Sequence, residues 1–209
     1  MVLSSIPAYN ARLKPKPSDI AMADNTNKTI NAEQAIEVLN NSDLLYSAEQ
    51  IDTALDRLAE EITERLGDSD PLMLVVMNGA LMPASQLSLR MFFPFQISYL
   101  HATRYRGETQ GSKIHWVARP NVSVQDRTIL VIDDIFDEGT TLKAVIDEMH
   151  ESGAKEVYSA VLVNKLHDRK EDLKVDFVGL DVEDRYVFGY GMDYKEYWRN
   201  LPSIYAAKE

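Results

Sequence analysis

Cysteine is absent from the 209 residues, which excludes disulfides, thiolate nucleophiles, iron–sulfur clusters and cysteine-ligated zinc together. Long apolar runs are also missing. No stretch approaches 18 uninterrupted apolar residues, and the opening MVLSSIPAYNARLKPKPSDIAMADN has no apolar run of signal-peptide length, so an unexported, cytoplasmic protein is expected. Positive charge is short: 22 lysines and arginines face 33 aspartates and glutamates, a net charge of −11. A field of that sign repels nucleic-acid backbones and anionic lipid, so neither is an expected partner. A phosphorylated ligand would need local help from a metal ion, a helix N-terminus or a few placed basic groups. The sequence has no G-x-G-x-x-G, no G-x-x-x-x-G-K and no nucleophile-elbow pattern, which removes the commonest dinucleotide, nucleotide and serine-hydrolase signatures. The four histidines, His101, His115, His150 and His167, show no metal-type spacing. His167, in Leu-His-Asp-Arg-Lys, is expected to be a solvated loop residue.

What remains is ordinary globular material, 45% apolar and 26% charged, of a length that suits one domain with a buried core. No internal repeat or low-complexity segment breaks it. Residues 1 to about 30 mix Pro, Asn, Lys and Ser without a sustained period and read as a partly mobile leader. From Asn31 a short helical stripe (Ala32, Ile36, Leu39) begins. After it Ile51, Ala54, Leu55, Leu58, Ile62 and Leu66 recur at three and four, with Ser47 and Gln50 as a capping box and Gly67 as a stop. The run Pro71 to Met77 is too short for a helix and ends in Asn-Gly, so it predicts a buried strand. A helix with Leu81, Ala84, Leu87 and Leu89 follows. Further strands are expected over Phe95–Thr103, Ile114–Ala118, Thr128–Asp133, Val157–Asn164 and Val175–Leu180, with a helix over Thr141–Ser152. Strands alternating with helices give an α/β fold with a mainly parallel sheet flanked by helices. Ligands of such sheets sit beyond the carboxyl ends of the strands.

One segment carries most of the chemistry. In Ile-Leu-Val-Ile-Asp-Asp-Ile-Phe-Asp-Glu-Gly-Thr-Thr, residues 129–141, a buried strand delivers Asp133 and Asp134 side by side. A turn bearing Asp137 follows, and Glu138, Gly139, Thr140 and Thr141 lead into a helix. Free amides and hydroxyls at a helix N-terminus suit one phosphate. Adjacent carboxylates suit vicinal sugar hydroxyls or a hard divalent metal. The blander alternative is that Asp-Asp ends a strand and Asp137 caps a helix. The acidic set Glu60, Glu61 and Glu64 reads as a solvated helix face.

This segment resembles the phosphoribosyl-pyrophosphate signature of the type I phosphoribosyltransferases. The resemblance runs in order over about residues 45–207 and is strongest to the hypoxanthine-guanine phosphoribosyltransferases. It implies a single domain over 41–209, with a core of about 70–165 and a hood built from about 41–69 and 166–209, behind a leader of residues 1–40. It also implies that Asp133 and Asp134 hold the ribose hydroxyls, directly or through Mg2+, that Asp137 to Thr141 cradle the 5-phosphate, and that Asp137 is the general base at purine N7. Met77-Asn78-Gly79-Ala80 would be the pyrophosphate loop with a cis peptide before Asn78, where many relatives carry Lys. Arg104 and Tyr105 would open the mobile lid, with Arg104 in place of the usual Ser. Lys165 would donate to O6 of a 6-oxopurine. Tyr186 would stack on the base and the Val187 backbone would read its edge. Asp193 would bind metal and Arg199 would reach the pyrophosphate, while Tyr194, Tyr197 and Trp198 pack around the hood. The activity implied is Mg2+-dependent phosphoribosyl transfer to hypoxanthine or guanine by a homodimer or homotetramer. A non-catalytic nucleotide-sensing regulator on the same scaffold is the alternative, and its usual nucleic-acid surface fits poorly with the charge of −11. A receiver-like reading of Asp133-Asp134 gives the Glu-Gly-Thr-Thr turn, Lys165 and Asp193 nothing to do.

Overall fold

The structure, a computed structural model, describes residues 30–104 and 114–208. The first 29 residues of the expected leader lie outside that range. Helix α1 (Ala32–Asn40) opens on a capping box between Asn31 and Gln34, and β1 (Asp43–Tyr46) follows. Helix α2 (Ala48–Leu66) has the Ser47–Gln50 capping box and buries the apolar face that the sequence predicts. The alternation then continues through β2 (Leu72–Val76), α3 (Leu81–Ser88), β3 (Gln96–Arg104), β4 (Ile114–Ala118), β5 (Thr128–Phe136), α4 (Thr140–Glu151), β6 (Glu156–Leu166) and β7 (Phe177–Glu183). Strands β8 (Val187–Phe188) and β9 (Ile204–Ala206) end the described chain.

Six strands form one sheet in the order β4-β3-β2-β5-β6-β7, parallel throughout except for β4, which runs antiparallel to β3. Strand β2 is buried along its whole length, as a strand covered on both faces must be. Helices α2 and α3 pack on each other and against β7, β5 and β2, and α4 packs against β3, β5 and β6. The chain passes from β2 to β3 on one side and returns to place β5 on the other. Such a reversal leaves a crevice beyond the carboxyl ends of the two central strands, β2 and β5. A second, antiparallel sheet in the order β1-β9-β8 brings Asp43 opposite Ala206 and Val187 opposite the same residue. Its strands have four, two and three residues, too few to leave a periodicity in sequence.

Two expectations need correction. Strand β5 does not end at Asp133 but continues to Phe136, because Ile135 and Phe136 keep pairing with Val163 and Asn164 of β6. In α3 only Pro83, Ala84 and Leu87 are buried, whereas Leu81 and Leu89 are exposed, Leu89 standing just past the helix end. None of the described helices is long and apolar enough to cross a membrane.

Leu58 joins α2 to the sheet at the one position where β7 has no side chain: a Cβ on Gly179 would lie 3.1 Å from its Cδ1. Leu58 is fully buried, so Leu58→Ala is expected to destabilise the protein by about 2–5 kcal/mol through lost transfer energy and a residual cavity. Urea unfolding should show a lower midpoint with an unchanged slope.

Candidate active site

At its carboxyl end β5 delivers two neighbouring carboxylates into the crevice. Asp133 Oδ1 accepts the Asp134 N–H at 2.9 Å, and Asp134 Oδ1 accepts the Ile135 N–H at 2.8 Å. Burial and the adjacent Asp134 charge push the Asp133 carboxyl well above the ordinary carboxylate range. Burial raises Asp134 as well, against the opposing effects of its contact with Asp133 and the charge of Arg199. Two like charges set side by side out of water favour a cation or a pair of hydroxyl donors between them. The β2–α3 loop presses its backbone against this pair. A Cβ on Gly79 would fall 1.9 Å from Asp134 Oδ2, and the Met77–Asn78 peptide in the same loop is cis, as the resemblance implied.

Beyond Phe136 the chain turns through Asp137 and Glu138 to Gly139, the N-cap of α4, where φ is +86° and no side chain caps the helix. Only glycine adopts that angle without strain, and a Cβ there would lie 2.3 Å from the Phe136 ring. With no side chain capping them, the first amides of α4 meet the condition for an anion site, and Gly139, Thr141 and Leu142 line the crevice. Asp137, before them, is gripped on both oxygens. Lys165 Nζ donates to Oδ2 at 2.9 Å, and His167 Nε2 lies 2.8 Å from Oδ1. Burial pushes Asp137 up, but hydrogen bonds from Lys165 and His167 and the charge beside it outweigh that and hold it below the ordinary carboxylate range.

The opposite wall comes from the segment after β8. Here Gly189, Tyr190, Gly191, Lys195, Glu196 and Trp198 all have left-handed φ, winding the chain tightly. Gly191 meets the β2–α3 loop, since a Cβ on it would fall 2.0 Å from Gly79 O. Arg199 donates to Gly191 O at 2.8 Å and to Asp193 Oδ1 at 2.6 Å, with Glu196 at 3.7 Å. Asp193 Oδ2 accepts the Glu196 N–H at 2.8 Å. Tyr186 stands edge-on to Tyr194, which in turn meets Phe188, and Trp198 Nε1 donates to Ala35 O at 2.7 Å, tying α1 to this wall.

These walls enclose an open cleft of about 890 Å3. Of the residues singled out in sequence, Asn78, Gly79, Asp133, Asp134, Asp137, Gly139, Thr141, Asp193 and Arg199 line it. Lys165 joins it through Asp137. Thr140 starts α4 but its hydroxyl faces Glu171 at 3.5 Å, and Glu138 lends its carbonyl to the Glu171 N–H at 2.8 Å. Val187 is buried in β8 and Tyr186 is half exposed, both outside the lining of this cleft. Arg104 ends β3; Tyr105 and the rest of the expected lid lie outside the described residues.

The structure overturns the solvated reading of His167, whose side chain is 3% exposed and bound to Asp137. His167 stands one residue past the end of β6, so strand alternation does not assign it, and its burial comes from the contact with Asp137. His101, Thr103 and His115 also line the cleft. Thr103 pairs with His115 across β3 and β4, so strand alternation could have found them.

Among the described residues no group of three or more His, Cys, Asp or Glu side chains forms a metal cage. The donor set still fits Mg2+, which takes one or two carboxylates and completes its shell with water and substrate oxygens. Such an ion would relieve the burial and mutual repulsion that raise the Asp133–Asp134 pair.

The sequence pattern of the phosphoribosyl transferase domain matches residues 42–196, and the chain belongs to the phosphoribosyltransferase family, with the type I fold. Within that family it is similar to the hypoxanthine-guanine phosphoribosyltransferases. The Bacillus subtilis (strain 168) protein of that name is 35% identical over 162 residues, 77% of this chain and 90% of that protein. The one from Aquifex aeolicus (strain VF5) is 31% identical over 169 residues, 79% and 94% of the two chains. The crystal structure of a hypoxanthine phosphoribosyltransferase from Staphylococcus aureus matches with a TM-score of 0.77 at 26% identity, covering 85% of this chain and 97% of that one.

Because Gly79 leaves no room beside Asp134, Gly79→Ala is expected to cost about 1–3 kcal/mol, as overpacking does. A thermal melt would show it. An unchanged melting temperature would mean that the loop can retreat from Asp134.

Proposed function

We propose that the protein transfers a 5-phosphoribosyl group from phosphoribosyl pyrophosphate to N9 of hypoxanthine or guanine, giving IMP or GMP and pyrophosphate. The observation that carries this is the position of Asp137. One carboxylate stands between the Asp133–Asp134 pair and open α4 amides on one side and a buried lysine on the other, where a sugar phosphate and a carbonyl-bearing base would meet. The relatives' names favour the same substrates.

On this reading Asp133 and Asp134 hold the ribose hydroxyls, and the backbone and hydroxyls from Asp137 to Thr141 (with Glu138, Gly139 and Thr140 between) hold the 5-phosphate. The Asn78–Gly79 amides and Arg199 take the diphosphate. With Asn78 where many relatives carry Lys, amides and Arg199 bear more of that load. Mg2+ would be held by the Asp133–Asp134 pair or by Asp193, completed by substrate oxygens, and would supply positive charge to the diphosphate. Lys165 donates to the purine O6, Tyr186 stacks on the ring and the Val187 backbone reads its edge. Arg104 and Tyr105 begin a lid that keeps water from the reacting carbon. The C1–oxygen bond breaks with its electron pair leaving on diphosphate, N9 donates its lone pair to C1, and the N7 proton passes to Asp137. The carboxylate also favours the positive charge that builds on the sugar. The enzyme then works in the cytoplasm as a homodimer or homotetramer, with neither nucleic acid nor membrane as partner.

Ultraviolet assays with phosphoribosyl pyrophosphate, Mg2+ and each of hypoxanthine, guanine, xanthine, adenine and uracil test this directly. Turnover of 6-oxopurines but not adenine is expected, because an ammonium facing the adenine amino group sets donor against donor. No turnover, with a melting temperature still raised by phosphoribosyl pyrophosphate, would indicate a sensor that binds without catalysing. Asp137→Asn is expected to lower kcat by about 10- to 10⁴-fold, the range for a general base. Near-normal turnover would remove Asp137 from the chemistry.

A further inference from the structure

We propose that His167 is a positioning residue for Asp137: its Nε2–H fixes one carboxylate oxygen, so that the other alone passes from Lys165 to the substrate. The inference rests on Asp137 being the base of the transfer proposed above. Each Asp137 oxygen has its own donor, Lys165 Nζ on Oδ2 at 2.9 Å and His167 Nε2 on Oδ1 at 2.8 Å.

The ring's hydrogen can be placed from its second contact. The Arg169 backbone N–H lies 3.1 Å from His167 Nδ1. A backbone N–H can only donate, so Nδ1 carries no hydrogen and the hydrogen sits on Nε2, aimed at Asp137. His167 is thus an uncharged donor, whereas Lys165 is a point charge on a flexible stem. The two also differ in freedom. The imidazole is almost wholly enclosed, with 3% of its side chain exposed, and is held by a turn that the Arg169–Asp184 fork closes at 2.9 and 3.0 Å. Lys165, by contrast, can turn its ammonium from Oδ2 to a substrate carbonyl.

With a donor on each oxygen both are weaker acceptors for a proton, and a carboxylate held by neither is free to rotate away. With Lys165 drawn to the purine, Oδ2 opens while the His167 hydrogen bond keeps the plane of Asp137 in place, and a fixed geometry of this kind is worth large factors in rate. The uncharged donor also matters, since two cations would leave the carboxylate a poor base. Other charged groups near Asp137 are Arg169, engaged with Asp184, and Lys170, which sits over the Phe136 ring and bonds Asn164.

The test compares wild-type enzyme with His167→Leu, His167→Gln and Asp137→Asn, measuring kcat and KM for hypoxanthine and phosphoribosyl pyrophosphate across pH. His167→Leu is expected to lower kcat about tenfold or more, with KM for phosphoribosyl pyrophosphate little changed. Its acid limb in kcat/KM should move to higher pH, because a donor that favours the carboxylate has gone. Glutamine offers an uncharged N–H at similar reach, so His167→Gln should restore most of the rate. Equal losses in the Leu and Gln variants would reduce His167 to packing and overturn the proposal, as would a wild-type rate in His167→Leu. Should His167→Leu fail to fold, a 15N spectrum of the wild-type imidazole decides: hydrogen on Nε2 supports the proposal and hydrogen on Nδ1 overturns it. Slow Asp137→Asn beside an unaffected His167→Leu defeats this inference alone. Near-normal Asp137→Asn defeats the function reading and the inference with it.

Discussion

Asp134 occupies its place because position 79 has no side chain. That close approach, 1.9 Å from a hypothetical Cβ to Asp134 Oδ2, brings the loop after β2 onto the end of β5. Gly191 repeats the device from the other wall, against Gly79 O. Three segments distant in sequence thereby converge at backbone distance around the Asp133–Asp134 carboxylates. The convergence is possible because β2 and β5 are adjacent parallel strands, in register from Leu72 opposite Ile129 to Val75 opposite Ile132, so both end at the same edge. Parallel strands require crossover connections, and the loops at their carboxyl ends are the ones free to vary. A largely apolar set of buried central strands and a polar rim of loops are two consequences of one topology.

The elements that were legible in sequence are those with long, regular burial. Helix α2 has nineteen residues with one apolar face, and β2 and the first part of β5, Ile129 to Ile132, are continuous apolar runs, so period and composition were enough. The site was legible because one stretch, Asp133 to Thr141, supplies much of the cleft lining from a single strand, turn and helix start. The small sheet was not, because β1, β8 and β9 are stable only through one another: Asp43 pairs with Ala206, 163 residues along the chain. The extension of β5 past Asp134 was hidden for a related reason. Two charged residues in sequence read as the end of a strand, but the ladder with β6 continues beneath them.

His167 shows the limit of judging a residue by its neighbours in sequence. Set among His-Asp-Arg-Lys it looks like a solvated turn, and by composition that is the usual fate of such a segment. Its environment is decided instead by where β6 ends: Lys165 sits near the end of that strand, His167 stands one residue beyond it, and both reach Asp137. Arg169, Lys170 and Glu171 do turn outward or find partners on other elements, Arg169 with Asp184 and Glu171 with the Glu138 carbonyl. One polar segment thus has a buried end and a solvated end, and only the tertiary contact with Asp137 separates them.

The charge of the whole chain bears on the cleft in the same local way. A protein of net charge −11 that is proposed to bind a diphosphate cannot depend on its long-range field, which opposes the approach of an anion. Nor do the described residues present a cluster of free cations in the cleft: Arg199 is already shared among Gly191 O, Asp193 and Glu196. What lines the cleft is the uncapped start of α4 and the backbone of the Asn78–Gly79 loop, and the positive potential of such backbone is short-ranged, falling off within a helical turn. On the proposed reading an anion is therefore held only once it is seated and the Arg199–Asp193 pair has opened. The same ion pair that satisfies Arg199 in the free protein then becomes the contact that substrate must displace, in parallel with the exchange of Lys165 away from Asp137.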